Sequence, residues 1–524
     1  MEYLLTMSGT LMKDLMHLFL LPGLILGTLY LYLTATFDFW LKLNVPFKKP
    51  TILFGNFRDL LLFRKSQAEG VKEMYNWFPD SRFFGVFRVR SPILILRDPE
   101  LIKAINVKDF SCFTNRGIPV NSQDPLSAHL FNLEGKKWKG LRSKLTPLFS
   151  SCKIKRMFYL LVECHEKFEK LIDASRGVVE VRGLAAKFSI DVIGSCAFGI
   201  QMNALTNEES EFHKAAIKLS RPSYKSTLWR MLRTSMPRFY KLLGVQVINP
   251  EVTVFFKEVV SQMIKQREEE GGKRHDFMDL LVELKNKGFL EGDYGNGGEI
   301  GGEKVERAED IVLDENIIAA QAFVFFVAGH ETSSTTIAFC LYELALNPEI
   351  QTKVREEILD AIVGTDGKLT YEAVQDIKYL DKVLLETLRK YPLAPLLSRR
   401  CEYPYKIPET DVELPAGMRV VIPVYAIHHD PQYYPSPDTF DPERFNDENK
   451  AKRHTHTFLS FGEGPRGCLG MKFALLQTKI GVISFLLHHK IEINDKTAVP
   501  IKFSRRNLVT TSETGFWLTL SSLE

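Results

Sequence analysis

A run without charged residues near the start of the chain constrains the fold more than any other feature. Positions 15–37 (LMHLFLLPGLILGTLYLYLTATF) contain no Asp, Glu, Lys or Arg. A helix of this length, at about 1.5 Å per residue, crosses a hydrocarbon core of about 30 Å. The run is too long for the apolar core of a signal peptide, the alternative interpretation, and Glu2 precedes it. We therefore predict an uncleaved membrane anchor over 1–40 and one large domain over 41–524.

The charges on either side of this run predict its orientation. Lys42, Lys48 and Lys49 follow it, whereas only Lys13 precedes it among basic residues. Basic flanks stay in the cytoplasm, so the large domain is expected on the cytosolic side. The seven cysteines form no Cys-x-x-Cys pair, and no Asn-x-Ser/Thr sequon occurs, which agrees with a reducing compartment. A net charge of +4 argues against a protein that binds nucleic acid through bulk charge.

The rest of the sequence predicts a mainly α body with a minor β portion. Apolar residues recur at spacings of three and four from about 135 to 390. Asp314 is placed to cap a long apolar helix over 317–346, and a last helix is expected over 471–488. The other expected elements are strands at 83–90, 92–96, 501–503 and 516–520, the last two paired, and a glycine-rich surface loop at 288–303.

A glycine-rich segment with a single thiol carries the most specific chemical signal. Phe461–Gly470 reads FGEGPRGCLG and leads into a helical pattern. A thiolate at Cys468 would lie near a helix N-terminus, where unpaired N–H groups favour negative charge. The glycines would let the backbone turn tightly around a flat partner, as a haem axial thiolate requires. Two alternatives stay open here: a buried structural Cys, and a Gly-x-Gly-x-x-Gly dinucleotide match that lacks a traceable βαβ unit.

This segment resembles the haem-ligand signature of the cytochrome P-450 family, the haem-thiolate monooxygenases. Five matching motifs follow the family's order over more than 300 residues. They are Trp138-x-x-x-Arg142, Ala328–Ser333, Glu386-x-x-Arg389, Pro442–Phe445 and Phe461–Gly470. Stretches such as FVFFVAGHETSS are closest to insect microsomal members that process foreign compounds. The resemblance implies the cytochrome P-450 fold and haem b as cofactor, with Cys468 as the axial ligand of the iron.

The resemblance also implies further cofactor contacts. The remaining haem-binding candidates are Trp138, Arg142, Arg466, Phe461, Gly464, Gly470, Ala328 and Gly329. Trp138 and Arg142 are four residues apart on a helix, so both side chains can reach one propionate region. The chain departs from many relatives after Pro395, where Leu396 and Leu397 stand in place of another basic propionate contact.

Glu386 and Arg389 are three residues apart and share one helical face. With Arg444 they are expected to form a buried carboxylate–guanidinium network that holds the frame around the Cys468 loop. The alternative is a solvated surface pair, which the apolar residues on either side disfavour.

Glu331 and Thr332 are the predicted catalytic residues. Ala328 and Gly329 are expected to leave room for O2 beside the haem. The Thr332 hydroxyl, rather than bonding back along its own helix, is expected to hold a water that Glu331 connects to solvent for proton delivery. The predicted substrate-binding residues are Phe113, Phe323, Val324, Leu393 and Leu397.

The chain has no convincing flavin or nicotinamide site, so NADPH-derived electrons must arrive from NADPH–cytochrome reductase, with cytochrome b5 as a second candidate donor. A basic face for such a partner is expected from Lys136, Lys137, Lys139, Lys144, Lys452, Arg453 and Lys472; an ordinary solvated surface is the alternative. The expected substrates are lipophilic xenobiotics such as plant toxins or insecticides, and the expected location is the endoplasmic reticulum membrane. The alternative functions are a haem-thiolate isomerase or dehydratase of oxygenated lipids, and a membrane-tethered haem carrier or sensor.

Overall fold

The computed structural model describes residues 19–121, 123–200, 202–207, 210–220, 228–229, 232–233, 237–270, 276–287, 313–365 and 367–523. The predicted loop at 288–303 and the first four positions of the predicted anchor run lie outside these residues.

Helices make up most of the described chain, as predicted. They are α1 (19–34), α2 (Phe39–Lys42), α3 (Arg58–Leu61), α4 (Gln67–Tyr75), α5 (Pro99–Lys103), α6 (Gly135–Leu145), α7 (Ser151–Arg156), α8 (Phe158–Ala174), α9 (Val181–Ile193), α10 (Glu211–Ser220), α11 (Pro237–Leu243), α12 (Pro250–Glu270), α13 (Phe277–Lys287), α14 (Glu315–Leu346), α15 (Pro348–Val363), α16 (Tyr371–Asp376), α17 (Lys378–Lys390), α18 (Val424–His428), α19 (Asp447–Lys452) and α20 (Met471–Leu486).

Nine short strands lie within the described residues. They are β1 (Phe83–Arg88), β2 (Ser91–Leu96), β3 (Gly177–Glu180), β4 (Leu397–Arg400), β5 (Tyr405–Lys406), β6 (Glu413–Leu414), β7 (Arg419–Ile422), β8 (His489–Glu492) and β9 (Trp517–Ser522). A four-stranded sheet has the order β1-β2-β7-β4, a three-stranded sheet has the order β3-β9-β8, and β5 pairs with β6.

The C-terminal strand pairing predicted from the sequence is wrong. β9 pairs with β3 and β8, whereas Phe503 makes only an isolated bridge to Ser512. β3 lies more than 300 residues earlier in the chain, so the local pattern around 501–520 held no information about its true partner.

The long helix α14 runs through the main hydrophobic core. Asp314 caps it as predicted, because its Oδ1 accepts a hydrogen bond from the Ile317 N–H at 2.7 Å. Its residues are apolar on nearly every side, which suits a helix that packs against α9, α12, α17 and α20 at once. In particular α9 contacts Glu331 through Arg182, and α20 approaches α14 at Ile337, where Gly481 lies.

The N-terminal helix is a candidate membrane span. Phe19–Lys42 covers 24 residues with a mean hydropathy of 1.6, and it is long and apolar enough to cross a bilayer. Its C-terminal end joins the body: Trp40 is fully buried, and its indole N–H donates to the Val86 carbonyl at 3.1 Å. The Arg90 guanidinium also lies 3.9 Å from the Tyr32 ring.

Candidate active site

The loop before α20 is shaped by glycines in the left-handed region. Gly462 and Gly464 have φ of +67° and +65°, which residues with a side chain rarely adopt. A Cβ at Gly464 would lie 2.0 Å from the Asn106 carbonyl oxygen, so no other residue fits without moving the backbone. The Cys468 N–H donates to the Phe461 carbonyl at 2.7 Å. The turn therefore positions Cys468 just before α20, whose N-cap residue is Gly470.

The surroundings of the Cys468 sulfur combine opposing effects. Although the residue is accessible, the dense protein around the sulfur raises the pKa of the Cys468 thiol, whereas the Gly470 N–H and the guanidinium groups of Arg142 and Arg116 act in the opposite direction. Both arginines bring positive charge to the sulfur, which would stabilise a thiolate coordinated to a metal ion.

Arg466 is buried and is held by backbone carbonyls. Its Nε donates to Thr114 at 2.8 Å and its Nη2 to Leu133 at 2.7 Å, and its guanidinium lies 4.0 Å from the Trp138 ring. Arg116 donates in turn to the Arg466 carbonyl at 3.0 Å. The sequence predicted Arg466 and Trp138 as cofactor contacts, and the structure brings them together in one stack.

Arg399 completes a group of four arginines. Its side chain is 1% exposed, and its Nε is buried without a hydrogen-bond partner. Burial and the positive charges of Arg399, Arg466 and Arg142 lower the pKa of Arg116 well below its usual value. Such a concentration of buried positive charge needs a counter-charge, and the two propionates of a haem supply two. The orphaned Arg399 donor and the cationic cluster beside Cys468 therefore fit a haem.

Glu386 and Arg389 form a fully buried, bidentate ion pair. Arg389 Nε lies 2.7 Å from Glu386 Oε2, and its Nη2 lies 2.8 Å from Oε1. Glu386 Oε1 also accepts from the Asp441 N–H at 3.0 Å and lies 3.4 Å from Arg444 Nε. The three residues predicted to form a network are thus brought together, in the interior rather than at the surface.

His428 connects this network to the Cys468 loop. Its Nδ1 lies 3.1 Å from the Arg389 carbonyl, and its Nε2 lies 2.9 Å from the Leu459 N–H. A neutral ring with its proton on Nδ1 satisfies both contacts. Burial and the nearby Arg389 lower the pKa of His428 to about 3, which keeps it neutral. A second connection is the hydrogen bond that the Ser460 hydroxyl donates to the Leu388 carbonyl at 2.8 Å.

Glu331 points to an arginine on α9. Its Oε1 accepts from Arg182 Nη2 at 2.6 Å, and Arg182 Nε donates to the Thr335 hydroxyl at 3.1 Å. Glu331 Oε2 lies 3.8 Å from His330 Nε2. The Arg182 guanidinium therefore bridges Glu331 and Thr335, which lie one helical turn apart on α14.

Two expectations about α14 need correction. The Thr332 hydroxyl does bond back along its own helix, because it donates to the Ala328 carbonyl. A Cβ at Gly329 would lie 2.3 Å from Ile193 Cδ1, so this glycine makes room for α9 rather than for a small ligand. Ala328, by contrast, is exposed, and Val327 and Gly329 on either side of it are half-buried.

The predicted substrate-binding residues lie in different surroundings. Phe113 is fully buried, and its ring packs edge-on against Tyr405 with centroids 4.8 Å apart. Phe323 is also buried, with its ring centroid 5.4 Å from that of Phe256. Val324, Leu393 and Leu397 are half-buried. Contact of these five residues with a substrate stays a prediction.

Three residues of this region were missed at the sequence level: Arg116, Arg182 and His428. Each acts through a partner that is distant in the chain, and none lies in a motif. Arg116 reaches Arg466 across 350 positions, and Arg182 reaches Glu331 across 149. No motif or periodicity in the sequence relates these positions.

The chain is similar to known proteins over almost its whole length. A family model described as Cytochrome P450 matches residues 45–519. Probable cytochrome P450 6a14 of Drosophila melanogaster is 38% identical over 510 residues, which cover 95% of this chain and 98% of that protein. Cytochrome P450 6B6 of Helicoverpa armigera is 37% identical over 500 residues (94% and 95%). Cytochrome P450 9e2 of Blattella germanica is 37% identical over 512 residues (94% and 95%).

Proposed function

The chain belongs to the cytochrome P450 family of haem-thiolate monooxygenases, and on this premise we propose that it inserts one oxygen atom of O2 into lipophilic small molecules. We place plant toxins and insecticides among these substrates, with electrons supplied by NADPH through a reductase. The observation that carries the proposal is the Cys468 loop. Its sulfur lies near the positive charges of Arg142 and Arg116, and the cluster of arginines beside it can bind the two carboxylates of a haem. The similar proteins named above all come from insects, which supports the xenobiotic class.

Cys468 is proposed as the axial ligand of haem iron, and Trp138, Arg142 and Arg466 as the residues around the propionates, with Phe461, Gly464, Gly470, Ala328 and Gly329 shaping the surroundings. Because the Arg466 side chain donates its hydrogen bonds to the backbone carbonyls of Thr114, Leu130 and Leu133, its part is chiefly to add charge and to support Trp138. Arg116 and Arg399 join the set from the structure. When bound, the haem supplies the activation of O2.

Glu331 and Thr332 are proposed to deliver protons. The Thr332 hydroxyl donates to Ala328, so its oxygen keeps lone pairs that can accept a hydrogen bond from a water. Glu331 is held by Arg182 through Oε1, and we assign the exchange of the proton to Oε2. The pair thus offers an acceptor site at Thr332 Oγ1 and a titratable oxygen one residue away.

The membrane location is part of the proposal. We propose that residues 1–40 form a single-pass anchor in the endoplasmic reticulum and that residues 41–524 form the catalytic domain on the cytosolic side. The apolar span Phe19–Lys42 and the basic residues after it support this orientation. The anchor's end packs against β1, as the buried Trp40 indicates.

The electron donor is proposed to be NADPH–cytochrome reductase, with cytochrome b5 as a second donor, docking on the basic face near α6. Lys136, Lys137 and Lys139 are exposed there, and Lys472 follows Cys468 by four residues. Opposite charge on a partner would speed association. Lys139→Glu should lower the apparent affinity for reductase and its salt dependence, whereas Lys257→Glu, an equal charge change at an exposed site on α12, should change neither. Equal effects of the two variants would refute docking at this face.

The two other functions are less well supported. A haem-thiolate isomerase or dehydratase has no need for a proton-delivering acid and alcohol, yet Glu331 and Thr332 are both present. A haem carrier or sensor would bind ligand without consuming NADPH. Oxygen uptake in the presence of reductase separates the monooxygenase from both alternatives, and turnover of a lipid hydroperoxide without reductase separates the isomerase or dehydratase from the carrier or sensor.

The decisive experiment is a carbon monoxide difference spectrum of the reduced protein. Wild type should give the thiolate-type band, Cys468→Ala should lose it, and Cys152→Ala, which changes another exposed cysteine, should keep it. With reductase and NADPH, Thr332→Ala should consume NADPH with little product. Thr336→Ala is the matched control because its hydroxyl makes the same bond one turn later, to Thr332 at 2.9 Å. A thiolate-type band in Cys468→Ala, or equal coupling in the two threonine variants, would contradict the assigned roles.

A further inference from the structure

A cavity lies beside the end of the membrane span. It measures about 950 Å³, and Phe39 of α2 lines it together with the outer end of the four-stranded sheet and the first turn of α14. None of the residues proposed for haem or catalysis lines it. Ile317, its contact on α14, precedes Thr332 by fifteen residues, or roughly 22 Å along a helix. The cavity therefore meets α14 about four helical turns away from Thr332.

Strand register places three arginines on one wall of this cavity. Arg88 pairs with Ser91 in β2, Ile93 pairs with Arg419 in β7, and Arg419 pairs with Arg400 in β4. Paired residues share a face of the sheet, and so do residues two apart on one strand. Arg88, Arg419 and Arg400 consequently project from the same face, and all three line the cavity.

Two of these arginines have no balancing carboxylate. Within the described residues no acidic oxygen lies within 4.0 Å of Arg88 or Arg419, whereas Arg400 contacts Glu134 at 2.8 Å. The Nε of Arg88 is buried without a hydrogen-bond partner. Burial and the neighbouring charge of Arg419 lower the pKa of Arg88 to about 10. An anion placed between the two guanidinium groups would remove this repulsion and satisfy the orphaned donor.

The other walls are largely apolar. Val120, Ala128, Leu133 and Ile317 line them, and Glu134, Lys137 and Arg233 are the charged residues among them. The volume is near the upper end of the roughly 300–1,000 Å³ typical of ligand pockets. Phe39 belongs to the span Phe19–Lys42, so the cavity adjoins the level at which that helix would leave a bilayer. A molecule with an anionic head and an apolar tail concentrates at this level.

We propose that this cavity binds an anionic amphiphile, with its carboxylate or phosphate head between Arg88 and Arg419 and its tail against the apolar walls. The site is distinct from the reaction centre, and the proposal does not depend on the proposed monooxygenase activity. Two sources share this chemistry, a free long-chain fatty acid and an anionic phospholipid of the bilayer.

Equilibrium dialysis of the full-length, haem-loaded protein in neutral detergent tests the proposal. Dodecanoate is the probe, dodecanol is the probe with the same tail but no charge, and saturating phenylimidazole on the iron blocks binding at the reaction centre. We expect dodecanoate to bind about tenfold or more tightly than dodecanol, since a hydrogen bond to a charged group has roughly that worth. The preference should disappear in the Arg88→Gln, Arg419→Gln double variant.

The control is the double variant Arg64→Gln, Arg505→Gln, which removes the same charge from exposed positions and should keep the preference. Arg88→Gln alone serves if the first double variant fails to fold, and it should weaken dodecanoate binding but not dodecanol binding. Competition by phosphatidylserine but not phosphatidylcholine would identify the bilayer as the source, and absence of competition would identify the free acid. Equal binding of the two probes, or an unchanged preference in Arg88→Gln, would overturn the proposal.

Discussion

Replacing Glu386 by Gln removes a negative charge that several buried groups share. The carboxylate accepts two hydrogen bonds from Arg389 and one from the Asp441 N–H, and it lies 3.4 Å from Arg444 Nε. Gln keeps one carbonyl oxygen, so it can still accept hydrogen bonds at one of the two carboxylate oxygen positions. Its amide N–H groups would face a guanidinium that also donates, and Arg389 would be left as a fully buried cation without a counter-charge.

The expected loss of stability follows from these contacts. A hydrogen bond to a charged group contributes roughly 1.5–3 kcal/mol, and Gln loses at least two of those that Glu386 makes. This agrees with the roughly 3–5 kcal/mol found when one partner of a buried ion pair is removed. At about 1.4 kcal/mol per factor of ten, the unfolded fraction would rise by roughly two to more than three powers of ten.

Urea unfolding followed by two signals measures the effect. Far-UV circular dichroism reports the helices, and the thiolate-type carbon monoxide band reports the Cys468 loop. Midpoints rather than free energies are compared, because a cofactor-containing protein of this size need not unfold in two states. We expect both midpoints to fall in Glu386→Gln, with the carbon monoxide band lost at the lower urea concentration, since His428 and Ser460 connect the network to that loop.

Glu372→Gln is the matched control, since Glu372 makes an ion pair with Lys155 in which both side chains are more than half exposed. Exposed pairs are screened by water, so its midpoints should equal those of wild type. If Glu386→Gln behaved like Glu372→Gln, the buried network would not support the fold. If only the helix signal shifted, its connection to the Cys468 loop would be refuted.

Two further predictions concern the same loop. Gly464→Ala should lower the carbon monoxide band midpoint more than Gly367→Ala, because both glycines have positive φ but only the first would push a Cβ against backbone; equal shifts would contradict this. The pKa of His428 is lowered to about 3 in the folded protein against about 6.5 when unfolded, so its stabilising contribution is complete above pH 6.5 and is lost as the pH falls towards 3. Urea midpoints between pH 7 and 4 should therefore fall more steeply in wild type than in His428→Gln, and parallel pH profiles would refute the buried neutral ring.

Local chemistry made much of this structure predictable. The cap at Asp314 and the length of α14 follow from one acidic residue before a long apolar stretch. The Glu386–Arg389 pair follows from a spacing of three on a helix with apolar neighbours. The turn before Cys468 follows from glycines at positions where a side chain would meet backbone. Each of these features depends on residues within one short segment.

The remaining features depend on packing between distant segments. The pairing of β9 with β3 and the contacts of Arg182 with Glu331 join positions that no periodicity relates. Gly329 shows a different limit, because the sequence revealed that bulk is absent there but not which neighbour uses the space. Only the approach of Ile193 from α9 decides that question.

The geometry of Glu331 limits how the proposed proton route can work. Arg182 holds Oε1 at 2.6 Å and is itself fixed by Thr335, so rotation of the carboxylate towards Thr332 would break a charge-assisted bond in a largely buried setting. Oε2 can accept a proton without that cost, and His330 Nε2 lies 3.8 Å from it. Burial lowers the pKa of His330, which favours a neutral ring beside the carboxylate. A proton that enters through Oε2 therefore leaves the Arg182 contact intact, and the orientation of Glu331 is preserved from one turnover to the next.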